Sequence, residues 1–373
     1  MRFSQISTTD AGSRAYVGSL PSLKQIVKRA KAKNFPPLPA SIAAMNVIPE
    51  PFLEVDGVNW LVTNEVIGDG RMIIFASPRS LRTLASCSTW LCDGTFSVAP
   101  RTSTDSFQQL YTVHALVGDR VVVPLVYCLL SHKNKQTYDT MWNTIFENLP
   151  NDVPRPARRT IICDLESGTI ASLKRYADVE HQTCFFHLTQ ANWRAVQASG
   201  LSGLYKADQE FALKVRMLPA LAFVPPDEVE EVFGRLVVAE MPPAAAPLVR
   251  FFRRHYIDGR GGPGRPAAFF PPSLWSARER TLTDGPRTTN GLEAWHRRIN
   301  TLLAAHSGVW AFVAALQQEE ASSHHRVAQA EMGVEVNPMK AQDKQRHARI
   351  KTIVADWGNR NEFAFLRGIA RNF

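Results

Sequence analysis

The 373-residue sequence predicts an α/β protein built on a mixed β-sheet. Three observations carry that expectation. Short apolar runs of β type recur from Phe52 onward, helical periodicity takes over in NKQTYDTMWNTIFENL, and two further apolar runs are each followed by a helical segment. In order these read βββαβαβα, which implies antiparallel strands first and parallel strands added through crossover helices.

Taken along the chain, the first 34 residues carry Arg2, Arg14, Lys24, Lys28, Arg29, Lys31 and Lys33 against the lone acid Asp10, and LKQIVKRAKAK has helical spacing with a basic face. NFPPLPAS then reads as a linker, so residues 1–50 are expected to be a basic helix and a proline-rich connection. The β-type runs are RMIIFAS, TWLCDGTF, FQQLYTVHALVG and RVVVPLVYCLL, the last two joined by a hairpin turn at Gly118 and Asp119. RRTIICDLES follows as a buried strand, GTIASLKRYA as a helix, HQTCFFH as a short strand and LTQANWRAVQ as a helix, completing a unit over residues 51–200. Residues 201–285 change character. EVEEVFGRLVVAE and APLVRFFRRHYI are helical patches cut by Pro225, Pro242 and Pro271, and DGRGGPGRP reads as an exposed loop, so this stretch is expected to be a helical insertion. LEAWHRRINTLLAAH and SGVWAFVAALQQEEASSHHRVAQA are amphipathic helices returning to the core over 286–330, and 331–373 is expected to be a basic helical tail.

A formal net charge of +9 favours a polyanionic partner, because clustered Lys and Arg release counterions from phosphates; nucleic acid leads and an acidic membrane surface is second. With no apolar run of about 18 residues and no signal-peptide pattern at the N-terminus, the expectation is a soluble intracellular chain. The five cysteines are odd in number, scattered and mostly inside strand-like runs, which argues for reduced core residues rather than a disulfide framework.

Two acids stand out chemically. Asp93 in WLCDGTF and Asp164 in TIICDLESG each end an apolar run and precede a turn, which places them at the exposed ends of buried strands, where open α/β sheets concentrate their chemistry. The element order sets the two strands side by side. Carboxylates brought that close repel unless a cation lies between them, and Mg²⁺ or Mn²⁺ is the natural occupant because hard ions prefer oxygen ligands and keep positions open for water and phosphate. Glu293, near the start of the helix in RTTNGLEAWHRRIN, is the best third acid, since a helix N-terminus also favours negative charge. His296 and Arg297, at i+3 and i+4, share its face and could touch a phosphate, and Glu166 is a possible auxiliary ligand. Trp295 is a candidate to stack on a splayed base. Singly, each acid has an ordinary explanation: an Asp-Gly turn, a strand-end cap, a helix N-terminal charge. Their order on these elements is what points to a shared site.

DGTF, then FQQLYTVHAL, PLVYCLLSHKNKQTYDTMW, ICDLE, CFFHLTQANWR and RTTNGLEAWHRRIN together resemble the transposase domain of Mutator-like elements, from about Pro51 to Gln318. The resemblance implies an RNase H-like core, with the helical segment inserted before the last catalytic acid, and a DDE triad at Asp93, Asp164 and Glu293. It further implies divalent-metal cleavage and strand transfer at terminal inverted repeats of double-stranded DNA, with two ions about 3.5–4 Å apart, in a homo-oligomer located in the nucleus and not at a membrane. The family's Cys-x-x-His element falls on Cys184 and His187. That pair supplies two of the four ligands of a structural zinc, with His181 and Cys163 as conceivable partners. Full-length relatives usually carry an N-terminal zinc-finger module, and no Cys/His cluster precedes Cys87 here. The alternative, from a different class, is a catalytically silent domesticated descendant that binds DNA or protein.

Overall fold

The computed structural model describes residues 35–118, 121–258, 268–287, 290–302, 307–334 and 340–373, with the side chains of 290, 293, 294 and 302 outside that description. The basic segment LKQIVKRAKAK, Asp119 of the hairpin turn and the glycine run 259–267 therefore lie outside the described residues.

A seven-stranded mixed sheet organises the chain. Its strands are β1 (Leu61–Ile67), β2 (Gly70–Phe75), β3 (Thr89–Thr95), β4 (Gln109–Val117), β5 (Val121–Leu130), β6 (Arg159–Cys163) and β7 (Val179–Thr183), in the spatial order β1-β2-β5-β4-β3-β6-β7. All neighbours from β1 to β3 are antiparallel, whereas β3 pairs with β6, and β6 with β7, in parallel. The expected antiparallel-then-parallel order is present. The β4–β5 hairpin closes with Val117 opposite Val121, and Gly118 takes φ +59°, a left-handed conformation that a side chain would strain.

Helices α1 (Pro78–Ser86), α2 (Lys135–Glu147), α3 (Ser167–Leu173) and α4 (Phe185–Ala198) connect or follow these strands. Their starts are encoded locally. Ser77 accepts from the Ser80 N–H with Pro78 at the first helical position, and Asn134 accepts from Thr137 N–H, each satisfying a backbone donor that a helix leaves unpaired.

The structure adds elements that the sequence did not predict, among them a small antiparallel pairing of Glu54–Val55 with Val58–Asn59, and moves one boundary. β1 was not anticipated because the polar run Thr63, Asn64 and Glu65 interrupts its apolar residues, as suits an edge strand. α1 was also missed: its apolar stripe, Leu81, Leu84 and Ala85, is only about two turns long. The strand expected in HQTCFFH stops at Thr183, so Cys184 caps α4 and His187 lies in the first turn of that helix.

The remaining helices are α5 (Ser202–Ala207), α6 (Gln209–Ala220), α7 (Val229–Ala239), α8 (Ala246–Phe252), α9 (Pro272–Trp275), α10 (Arg278–Leu282), α11 (Asn290–Leu302), α12 (Val309–Glu331), α13 (Ala341–Ala355) and α14 (Glu362–Ala370). Three apolar clusters result. One sheet face packs Trp90, Cys92 and Tyr111 against Met141, Trp142 and Ile145 of α2. The other packs Leu110 and Tyr127 against Trp295 and Ile299 of α11, Phe312 and Leu316 of α12, and Ile42 and Phe52 of the N-terminal segment. The third joins α4 and α6–α8 to the C-terminal helices, burying Ile350, Val354, Phe365 and Ile369 against residues such as Val215, Phe223 and Phe233. The C-terminal helices are therefore structural partners of the helical segment 201–285.

Phe365 tests that partnership. It is fully buried and packs edge-on to Trp357, with centroids 4.7 Å apart. Phe365→Ala is expected to lower the unfolding free energy by about 3–5 kcal/mol, measured by urea titration. A change below about 1 kcal/mol would show that α14 does not contribute to the core.

Candidate active site at the carboxyl edge of the sheet

Parallel pairing of β3 with β6 sets Leu91 opposite Ile162. Two residues further along each strand lie Asp93 and Asp164, so both acids reach the same level at the carboxyl ends of adjacent strands. Because side chains alternate along a strand, Trp90 and Ile161 point into the α2 face, and the two acids share the opposite face, the one covered by α11.

Asp93 is nearly buried, and its Oδ1 accepts from the Gly94 N–H at 2.8 Å. Gly94 itself faces Gln109: a Cβ there would fall 2.5 Å from the Gln109 amide oxygen, so a side chain at this point of the DGT motif would have to displace that amide. Asp164 lies just past the end of β6, with Oδ1 3.3 Å from the Glu166 N–H. Burial raises its carboxyl above the usual range, partly offset by the His187 ring and Lys133.

Glu166 is also past the strand, at the position that caps α3. Burial raises its carboxyl too, and it accepts a 2.6 Å hydrogen bond from the Tyr138 hydroxyl, which in turn accepts from Gln109 Nε2 at 2.9 Å. Sequence reasoning missed Tyr138 and Gln109. Tyr138 occupies an apolar-face position of α2 and Gln109 begins a strand, so neither carried a chemical signal.

Two imidazoles flank the acids. Burial opposes a charge on His187, but the Cys184 sulfur, Asp93 and Asp164 outweigh it and raise the ring to about 9, so it is a cation at neutral pH. His296 on α11 brings Nδ1 to 3.5 Å from Asp93 Oδ2. Burial and then the charge on His187 push His296 down to about 4, so at pH 7 this contact joins a carboxylate to a neutral ring rather than forming an ion pair. Glu293 lies on the same helix, three residues before His296, and its side chain is outside the described residues. Arg297 is exposed on α11.

Two minor candidates from the sequence find other places. Trp295 is buried, donates from Nε1 to Glu319 Oε2 at 2.8 Å, and packs against the rings of His114 and Tyr127, so it is a core residue and not a stacking surface. The two Cys/His pairs do not form one zinc site. Cys163 Sγ contacts His181 Nε2 at 2.8 Å, Cys184 pairs with His187, and among the described residues no group of three or more His, Cys, Asp or Glu side chains is arranged to hold a metal ion.

Comparison with known families gives a match over part of the chain. Residues 89–191 match the MULE transposase domain. The MULE match begins at β3 and ends within α4, so it takes in Asp93, Asp164, Glu166, Cys184 and His187 and stops before the helical segment and Glu293. No curated protein matches the chain. Among the described residues no helix is long and apolar enough to cross a membrane.

His181 supplies a pH prediction. Burial lowers its ring to about 4, below the value near 6.5 expected in the unfolded chain. The unfolded state therefore takes up a proton first as pH falls, and stability is lost between about pH 6.5 and pH 4. His181→Gln should remove about 1–2 kcal/mol of the stability difference between pH 7 and pH 5, measured by urea unfolding at both. An unchanged difference would show that this ring does not titrate with folding.

Proposed function

We propose that the chain is the catalytic part of a DDE-type DNA transposase of the Mutator-like class. In this reading it acts in the nucleus as a homo-oligomer, cleaving double-stranded DNA at terminal inverted repeats and joining the freed ends to a target. The observation that carries it is the placement of Asp93 and Asp164 at one level on adjacent parallel strands, inside a segment that matches the MULE transposase domain. The antiparallel run β3, β4 and β5 followed in the chain by the parallel strands β6 and β7, with the second acid directly after the first parallel addition, supports an RNase H-like reading of this part of the sheet.

The donor set fits a hard divalent ion. Asp93 and Asp164 offer carboxylate oxygens at one level of the sheet edge, the ligand type a hard ion prefers, and a third acid is needed to complete the set. Glu293, by its place on α11, is proposed as the third ligand, with Glu166 auxiliary. Mg²⁺ or Mn²⁺, when bound, supplies an activated water or 3′-hydroxyl and stabilises the leaving oxygen of a phosphodiester.

The protein groups have distinct tasks. His187 contributes a positive charge beside the acids, which favours an approaching phosphate. His296 holds the Asp93 carboxylate from the α11 side, and the Gly94 N–H fixes its other oxygen. Tyr138 fixes the orientation of Glu166.

Labelled duplex DNA incubated with Mg²⁺ or Mn²⁺ tests the proposal. The wild-type chain should cleave and join strands, and Asp93→Asn, Asp164→Asn and Glu293→Gln should each reduce the rate on the order of 100-fold or more while retaining DNA binding. Wild-type binding without metal-dependent cleavage would favour the domesticated, silent descendant instead.

A further inference from the structure

Most aromatic side chains near the acids are buried; Phe96 is the exception. It follows β3 directly, three residues after Asp93, and is 49% exposed although Val98 and Ala99 beside it turn inward. Its position is fixed from both sides. The neighbouring Ser97 Oγ donates to Asn300 Oδ1 of α11 at 3.2 Å, and the ammonium of Lys133 sits over the ring, 4.8 Å from its centroid.

Sheet register explains why these two meet. Thr95 lies opposite Leu110, and Leu110 opposite Leu129, so β3 and β5 leave the sheet at the same edge, where the next residues are Phe96 on one strand and Ser131 to Lys133 on the other. Lys133 also lies close enough to Asp164 and Glu166 to favour their charged forms. An exposed ring carrying a cation thus stands at the rim of the acid site.

We propose that Phe96 and Lys133 form a nucleotide clamp at the mouth of the site, the ring stacking on a DNA base that has left the duplex beside the cut and the ammonium contacting a phosphate of the same strand. Every base has a face for such stacking, so the clamp selects unpaired structure rather than sequence. The exposed ring replaces Trp295, which the fold commits to the core. The clamp rests on the DNA-cleaving reading above.

Two labelled DNAs separate the possibilities: a blunt duplex and the same duplex with a short unpaired 3′ end carrying 2-aminopurine. Phe96→Ala should weaken binding of the unpaired end by about 10-fold and of the blunt duplex by less than about 2-fold, with loss of 2-aminopurine quenching and recovery in Phe96→Trp. Lys133→Gln should weaken both DNAs and reduce the slope of log K against log salt by about one. Equal weakening of both DNAs by Phe96→Ala, or none, overturns the clamp while leaving wild-type cleavage and its loss in Asp93→Asn intact. Failure of the wild-type chain to bind either DNA overturns the transposase reading together with the clamp.

Discussion

Everything at the site follows from one backbone pairing. Because β3 and β6 run parallel with Leu91 opposite Ile162, two acids that are distant in sequence reach the same edge and the same face. An antiparallel pairing would have sent them to opposite ends. The cost of that placement is a carboxyl taken out of water, visible in the raised carboxyl of Asp164, whose rise comes from burial. His187, charged at neutral pH, relieves part of it from the α4 side.

The helices over that face are fixed by buried polar contacts, not by apolar packing alone. Glu319 of α12 accepts from the Trp295 indole and is bridged by the Arg298 guanidinium, which locks α11 in the position that brings His296 to Asp93. One residue on, Glu320 is fully buried and accepts from the Ser77 N–H and the Ser80 hydroxyl at the start of α1, with His324 alongside. α12 thereby ties the N-terminus of α1 to the cover of the site. Removing one partner of such a buried carboxylate leaves a desolvated group behind, which costs more than the hydrogen bond itself contributed.

How much of this was legible in the sequence depended on the signal each feature needs. The strands carrying Asp93 and Asp164 announced themselves as apolar runs ended by an acid and a turn, and the hairpin by its Gly118 turn. β1 escaped because an exposed edge strand need not be apolar, and the HQTCFFH boundary was misplaced because Cys184, Phe185 and Phe186 suit a strand as well as a helix start. Tyr138, Gln109 and Phe96 could not be singled out, because their roles depend on which elements lie beside them. The stacking role considered for Trp295 fails for the same reason: proximity in sequence to Glu293 and His296 said nothing of the buried Glu319 that accepts from its indole N–H.

The most direct check of the metal-site reading is anomalous diffraction at the manganese edge from crystals of the chain soaked in Mn²⁺. A peak bounded by the carboxylates of Asp93 and Asp164, and absent in Asp164→Asn, is the expected finding. Crystals that take up Mn²⁺ elsewhere, or not at all, with these two carboxylates unliganded, would refute a metal site built on the β3–β6 pairing.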